Sequence, residues 1–160
     1  MLVDSRFAKF LSPAIAIVAF VCTVHALAQA PKPQSLIKWR QSAFQVMAWN
    51  VGRIEASLEG RYDRAEILAS ATVIAALANA GIATLFVPGT ETGMGWHDTS
   101  AKPELFNDRK RFNELDASFA KDANELVKVA NDGTGDAVRG RYAALAKACK
   151  VCHREFKIRE

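Results

Sequence analysis

The amino-acid sequence predicts an all-α fold, an antiparallel up-down-up-down four-helix bundle, on three observations. Beyond residue 30 the apolar residues recur at steps of three and four, and no stretch alternates apolar with polar as a half-buried strand would. Glycines and capping residues cut that pattern into four helical segments. The links between the first and second segments and between the third and fourth are short, whereas a long irregular stretch separates the second from the third. Short links make antiparallel neighbours, and the long one serves as the crossover.

In the first segment Ser35 is placed to cap a helix whose apolar positions are Leu36, Phe44, Met47, Val51, Ile54 and Leu58, ending at Gly60. From Phe44 onward the steps alternate three and four, which puts these side chains on one stripe. Asp63 caps the second segment, RAEILASATVIAALANA, which closes at Gly81. The irregular stretch LFVPGTETGMGWHDTSAKP follows, with Gly89, Gly93 and Gly95 inside it and Pro88 and Pro103 at its margins. A loop of this length in a small domain is functional or a crossover. Pro103 suits the first turn of a third helix with the stripe Phe112, Leu115, Phe119, Leu126 and Val129, ending near NDGTGD. The fourth helix carries Val138, Tyr142, Leu145, Cys149, Cys152 and Phe156 on one face. Trp39, Trp49 and Trp96 are expected as packing residues rather than as an electron path.

The first residues belong to export rather than to the fold. Arg6 and Lys9 precede the apolar run LSPAIAIVAFVCTV, and HALAQA offers small residues for cleavage after Ala28 or Ala30. Residues 1–28 are therefore expected to be a signal peptide and residues 31–160 the mature domain. The run from Leu11 to Val24 contains Ser12 and Pro13 and falls short of the roughly 20 apolar residues that a spanning helix needs. Cys22 follows Val21, where a lipidation site wants a small side chain, so it reads as an apolar residue of the leader. Losing Asp4, Arg6 and Lys9 takes the formal charge from +4 to +3, with a local cluster DRKR at Asp108–Arg111. Without aromatic interleaving that cluster reads as a solvated helix face, not as a nucleic-acid patch.

Near the C-terminus the chain reads ACKVCHREFKIRE, Ala148 to Glu160, and Cys149 and Cys152 are the cysteines left after the leader. Both fall at the core spacing of the fourth helix, with His153 on the flank of the same face. A disulfide between residues three apart closes almost no loop and stabilises little. A thioredoxin-like dithiol belongs at a helix N-terminus after a strand, and here no strand precedes and the pair lies near a helix C-terminus. Zinc needs a fourth ligand, and a Cys/Cys/His/His site would have to recruit His97, alone in the glycine-rich loop. The reading that export and an apolar helical core both support is covalent haem attachment. Two thioethers hold the vinyl carbons of the porphyrin, and the adjacent His153 ligates the iron.

On these residues the chain resembles cytochrome c′, the four-helix class of c-type cytochromes and itself a type example of the up-down-up-down topology. The likeness runs over essentially the whole mature chain, in WRQSAFQVMAWNVGRI on the first helix, FVPGTE after the second and CKVCHREFK at the end. A C-terminal haem motif separates this class from the commoner cytochromes c, which carry it near the N-terminus. The resemblance implies one haem c, covalent through Cys149 and Cys152 and ligated by His153. It also implies a propionate partner in Arg40, a contact of Gln41 with the macrocycle edge, and contacts from Glu91 and Thr92 in the PGTE loop. On sequence alone Arg40 is equally well a surface charge.

In low-spin relatives a methionine four residues after the first-helix arginine supplies the sixth iron ligand; the matching position here is Phe44. Phenylalanine cannot ligate iron, and it leaves a vacant, carbon-lined distal site. Such a site favours nitric oxide and carbon monoxide over anions, with oxygen poorly held for want of a distal donor. Met47 is the rival ligand on that helix and reads as core; Met94 lies in the loop. The basic residue that relatives carry four after the axial histidine is Lys157 here, where arginine is more usual. The expected function is thus that of an exported, periplasmic bacterial haem protein with five-coordinate iron, binding nitric oxide or carbon monoxide and changing redox state by one electron. Its alternative is a six-coordinate electron carrier of the same fold. No acid/base pair accompanies the distal site, so an enzyme is not expected. The resemblance further implies a homodimer formed through the outer faces of the first two helices.

Overall fold

A proline, not Ser35, opens the first helix. In the computed structural model, which describes residues 30–158, helix α1 runs Pro33–Glu59 with Lys32 at the N-cap. Proline has no N–H to leave unpaired at the first helical position and its fixed φ is already helical. Ser35 sits in that first turn, its N–H bonded to Lys32 O at 2.8 Å. The expected leader, residues 1–28 with cleavage after Ala28 or Ala30, lies outside the described residues.

Gly60 ends α1, and Ser57 Oγ accepts from the Asp63 N–H at 2.8 Å to close the turn into α2, Arg64–Ala78. Asp63 caps α2 as expected, accepting from the Glu66 N–H at 3.1 Å. The helix stops at Asn79, two residues before Gly81, which adopts φ 73° and starts a 3₁₀ turn, Ile82–Leu85. Glycine reaches that left-handed conformation without strain.

The third expected helix is divided. Pro103 leads a single turn, α3, Glu104–Asn107. Asp108 then leaves the helical region (φ −108°, ψ 62°) and restarts the chain as α4, Arg109–Asp132, accepting from the Arg111 N–H at 3.0 Å. The DRKR cluster is accordingly no simple solvated face. Arg109 donates to Phe86 O at 3.1 Å and lies 4.9 Å over the Phe112 ring, while Arg111 makes a bidentate pair with Glu155 at 2.9 and 3.0 Å. Helix α5, Gly135–Phe156, is capped by Thr134, and Arg154 in its last turn complements the negative end of the helix dipole.

The four long helices form the up-down-up-down bundle. α1 packs on α2, α2 on α4 and α4 on α5, but the backbones of α1 and α5 do not close on one another in the same way, which leaves a seam between the first and last helices. Within the compact unit Pro31–Glu160 the core has two parts. Ile54, Ile67, Ile74, Leu126, Val138 and Leu145, all fully buried, fill the end of the bundle nearest the two short turns. Each stabilises the fold by about 1.5–3 kcal/mol. Met47, Phe86, Phe112 and Phe156 fill the other end, where the crossover loop and the C-terminus meet.

The tryptophans are a correction. Trp39, Trp49 and Trp96 are 52%, 65% and 65% exposed. Residues 39, 42, 46 and 49 step by three and four along the face of α1 opposite its core stripe, and no other described helix covers that face.

Candidate haem-binding site

Cys149 and Cys152 lie on the inward side of α5, half-buried, and neither is in a disulfide. Cys152 packs against the Phe86–Phe112–Phe156 cluster. Burial raises the pKa of both thiols. That of Cys152 is pushed up to about 11, first by burial and then by Cys149, Asp116 and Glu155, against an opposing pull from Arg111. The shift keeps both thiols protonated at neutral pH, the reverse of a thioredoxin-like pair whose thiolate is stabilised. His153 is solvent-accessible, and its pKa is lowered by desolvation and then by Lys157, which favours the neutral imidazole that ligates metals.

The turn that carries His153 is latched from outside. The Lys157 N–H returns to His153 O at 3.0 Å, and Lys102 Nζ donates to Arg154 O and Glu155 O at 3.0 and 3.3 Å, satisfying the last carbonyls of α5. The Lys102 N–H bonds Phe156 O at 2.9 Å and the Ile158 N–H bonds Ser100 O at 2.8 Å, a short pairing of the crossover loop with the tail. Lys157 itself is extended and exposed.

On the α1 side Phe44 is 42% exposed, with its ring 6.3 Å from that of Phe86. Phe86 meets Phe112 edge-on at 5.1 Å, and Phe112 meets Phe156 at 5.9 Å, so aromatic rings lead from α1 through the loop and α4 to α5. Met47 is buried within this cluster, and Met94 stands 57% exposed on the loop.

Arg40 is no surface charge. It is 2% exposed, its guanidinium 4.4 Å over the Phe86 ring. Nη1 donates to Thr90 Oγ1 at 2.9 Å and to Leu85 O at 3.4 Å; Nη2 donates to Thr90 O and Thr99 Oγ1, each at 2.7 Å. Burial lowers its pKa to about 10, partly opposed by Glu91. All four Nη hydrogens thus hold the crossover loop, and the Nε–H is the donor left for a propionate. Gln41 works beside it. Its Oε1 accepts from the Trp96 N–H at 2.8 Å and its Nε2 donates to His97 O at 3.0 Å. Glu91 accepts from the Gly89 N–H at 2.7 Å, and Thr92 is exposed.

The structure therefore brings Cys149, Cys152 and His153 to one edge of an aromatic cluster that also reaches Phe44. It sets Arg40, Gln41, Glu91 and Thr92 apart, at the junction of α1 with the crossover loop. Two unpaired, protonated thiols, a neutral imidazole and an apolar cluster beside an unclosed seam fit a covalent haem. A closed zinc site fits less well. His97 Nδ1 lies 2.7 Å from Asp98 O on the loop, and among the described residues no three metal-ligating side chains converge. The contacts of Phe86, Lys102 and Arg109 are not legible in the sequence, where Phe86 stands only within FVPGTE and Arg109 within DRKR. These residues lie outside or at the edge of the helical periodicity, and their partners are backbone carbonyls 23 or more residues away or rings on other helices.

Comparison with known proteins agrees with this geometry. The cytochrome c′ family profile matches residues 35–157. Cytochrome c′ of Rhodocyclus tenuis is 46% identical over 127 residues, 79% of this chain and 96% of that one. A solved cytochrome c′ described as having an unusual ligand-controlled dimer dissociation superposes with a TM-score of 0.77 at 37% identity, covering 81% of this chain and 98% of its own. A nitric oxide complex of a mutant cytochrome c prime from Alcaligenes xylosoxidans superposes at 0.71 with 30% identity, over 81% and 98% of the two chains. With the haem motif on its last helix and the family's bundle around it, this chain belongs to the cytochrome c′ family, the four-helix cytochromes that carry covalent haem c.

Proposed function

We propose that the chain is an exported, periplasmic monohaem cytochrome whose iron is five-coordinate, a binding and electron-exchange protein rather than an enzyme. Cys149 and Cys152 would hold the haem through two thioethers, and His153 would ligate its iron. When bound, the haem supplies a one-electron redox change and a coordination site for nitric oxide or carbon monoxide. The protein does the rest. The latch from Lys102 and Ser100 orients the turn bearing His153. Phe44 would line the distal side with carbon alone and offer no hydrogen-bond donor to an anion or to oxygen. Arg40 and Gln41 hold the crossover loop against α1, and the Arg40 Nε–H would remain to donate to a haem propionate, with Glu91 and Thr92 on the same loop as further contacts.

The observation that carries this reading is the C-x-x-C-H run on the last helix, with Cys149 and Cys152 unpaired and half-buried on the inward side of α5 and His153 solvent-accessible beside them. Against a six-coordinate carrier stands Met47, buried among Phe86 and Phe112 as core. Homodimerisation is supported by the exposed outer faces of the first two helices, where Val46 and Trp49 on α1 and Val73 on α2 reach solvent. The test of attachment is haem staining after denaturing electrophoresis. The parent should keep its haem, Cys149→Ala with Cys152→Ala together should lose it, and a parent that releases haem on denaturation would refute covalent attachment.

A further inference from the structure

The latch on the last turn of α5 is one end of a longer connection. Four residues of the crossover loop, Thr99 to Lys102, touch both sides of the seam between α1 and α5. At one end Thr99 Oγ1 accepts from Arg40 Nη2 of α1 at 2.7 Å. Arg40 is buried and held by its bonds to Thr90, so this end is anchored to α1. At the other end Ser100 O accepts from the Ile158 N–H at 2.8 Å, the Lys102 N–H donates to Phe156 O at 2.9 Å, and Ala101 bridges Lys157 antiparallel between them.

The segment is built as a tie. Extended chain from Thr99 to Lys102 reaches about 11 Å at most, so its two anchors cannot drift far apart. The Ala101 N–H turns back to Thr99 Oγ1 at 3.3 Å, and the buried Ala101 side chain packs in the same core cluster as Phe112 and Phe156. At α5 the segment meets the carbonyls that a helix end leaves without intrahelical partners. Of the last four, His153 O accepts from the Lys157 N–H, and the other three accept from Lys102: Arg154 O and Glu155 O from Nζ, Phe156 O from the N–H. One residue of the loop thus finishes the turn that carries His153.

We infer that Thr99–Lys102 is a strap that ties the His153 turn of α5 to α1, with Thr99 and Lys102 as positioning residues for the axial ligand. A change at the Arg40 end then reaches the bond from His153 to iron through four residues of chain, a contiguous physical path between the two sides of the site. The inference rests on the proposed haem ligation by His153.

The test is made on the ferrous haem protein with two readouts, the iron–histidine stretching band in resonance Raman spectra and hydrogen exchange of the Lys157 and Ile158 amides. Lys102→Met should speed that exchange about tenfold, the effect of losing one charge-assisted hydrogen bond, and move the band to lower frequency. Lys102→Arg keeps a donor for the carbonyls and should restore most of both. Thr99→Val keeps the shape and removes the acceptor for Arg40. It should move the band in the same direction, although the Thr99 side chain bonds neither His153 nor an α5 carbonyl. Thr134→Val uncaps the far end of α5 and should lower Tm with the band unmoved. A band at its parental frequency in Lys102→Met, with the amides exchanging faster, would mean that the segment pins only the tail, and would overturn the inference. So would a band moved as far by Thr134→Val as by Thr99→Val, because general loosening of α5 would then be the cause. Six-coordinate, low-spin iron in the parent would instead refute the reading beneath it, and amide exchange in Thr99→Val would still decide whether the strap joins α1 to the α5 turn.

Discussion

Replacing Arg40 by methionine removes one side chain and unfastens a whole loop. Methionine preserves the stem's packing against Phe86 but deletes the donors to Thr90 Oγ1, Thr90 O and Thr99 Oγ1 at 2.9, 2.7 and 2.7 Å. Three good bonds from a charged donor contribute about 1.5–3 kcal/mol each. Burying the charge opposes them. It is the burial that takes the Arg40 pKa from 12.5 to about 10. At about 1.4 kcal/mol per unit it costs about 3 kcal/mol. The net loss expected for Arg40→Met is about 4 kcal/mol, or a fall of roughly 12–15 °C in Tm for a domain of this size. Arg40→Lys keeps the charge but not the planar fork and should fall between. Thermal melts of the haem protein followed by circular dichroism give the magnitude, and hydrogen exchange gives the place. The Gly95 and Thr99 amides, bonded to His97 O and Gly93 O, should lose protection before any helix amide does. If Arg40→Met melts within about 2 °C of the parent with those amides still protected, the guanidinium does not anchor the loop.

Four further outcomes follow from other contacts. A Cβ on Gly95 would meet Gln41 Oε1 and, at 2.9 Å, Ile37 Cγ2, so Gly95→Ala should cost about 1–3 kcal/mol in denaturant titrations and perturb Trp96 fluorescence by displacing Gln41. Leu145 is fully buried, so Leu145→Ala should destabilise by about 2–5 kcal/mol in the same titrations. Asp116 has its pKa raised by burial, with Arg109 opposing. The native state therefore holds that proton more tightly than the unfolded chain, and this contribution, complete below the ordinary value of 3.8, is lost as pH rises through the folded pKa. Asp116→Asn should accordingly be more stable than the parent at pH 7, with the difference vanishing at acid pH. Val46→Glu places charge on the exposed α1 face, and sedimentation velocity should show the variant as monomer at concentrations where the parent is dimer.

Helices and their inward faces were legible because both depend on local spacing. Val138, Leu145 and Phe156 are buried where periodicity puts them, and Asp63 caps α2 as its place before the apolar run suggests. What the sequence did not disclose depends on residues far apart along the chain. Arg40 is a buried anchor only because Thr90 and Thr99 come back to it across 50 and 59 positions. The break at Asp108 arises where its side chain finds the Arg111 N–H and begins a new helix, a choice that helical periodicity on either side conceals. The tryptophans misled for another reason. Large apolar residues usually pack, but the second stripe on α1 is met, among the described residues, only by Trp96 of the crossover loop, whose Nε1–H donates to Ser42 Oγ at 2.9 Å, and no described helix covers it. The haem motif is readable from spacing alone because its two cysteines and its histidine sit within five consecutive residues, Cys149 to His153.

The central claim is a covalent haem ligated by His153 with no protein ligand above it. The optical spectrum of the reduced protein, recorded before and after adding nitric oxide, tests it most directly. A broad high-spin spectrum that changes when the gas is added is the predicted result. Sharp low-spin bands that the gas leaves unmoved would contradict it, placing a protein side chain at the sixth position and making the chain an electron carrier.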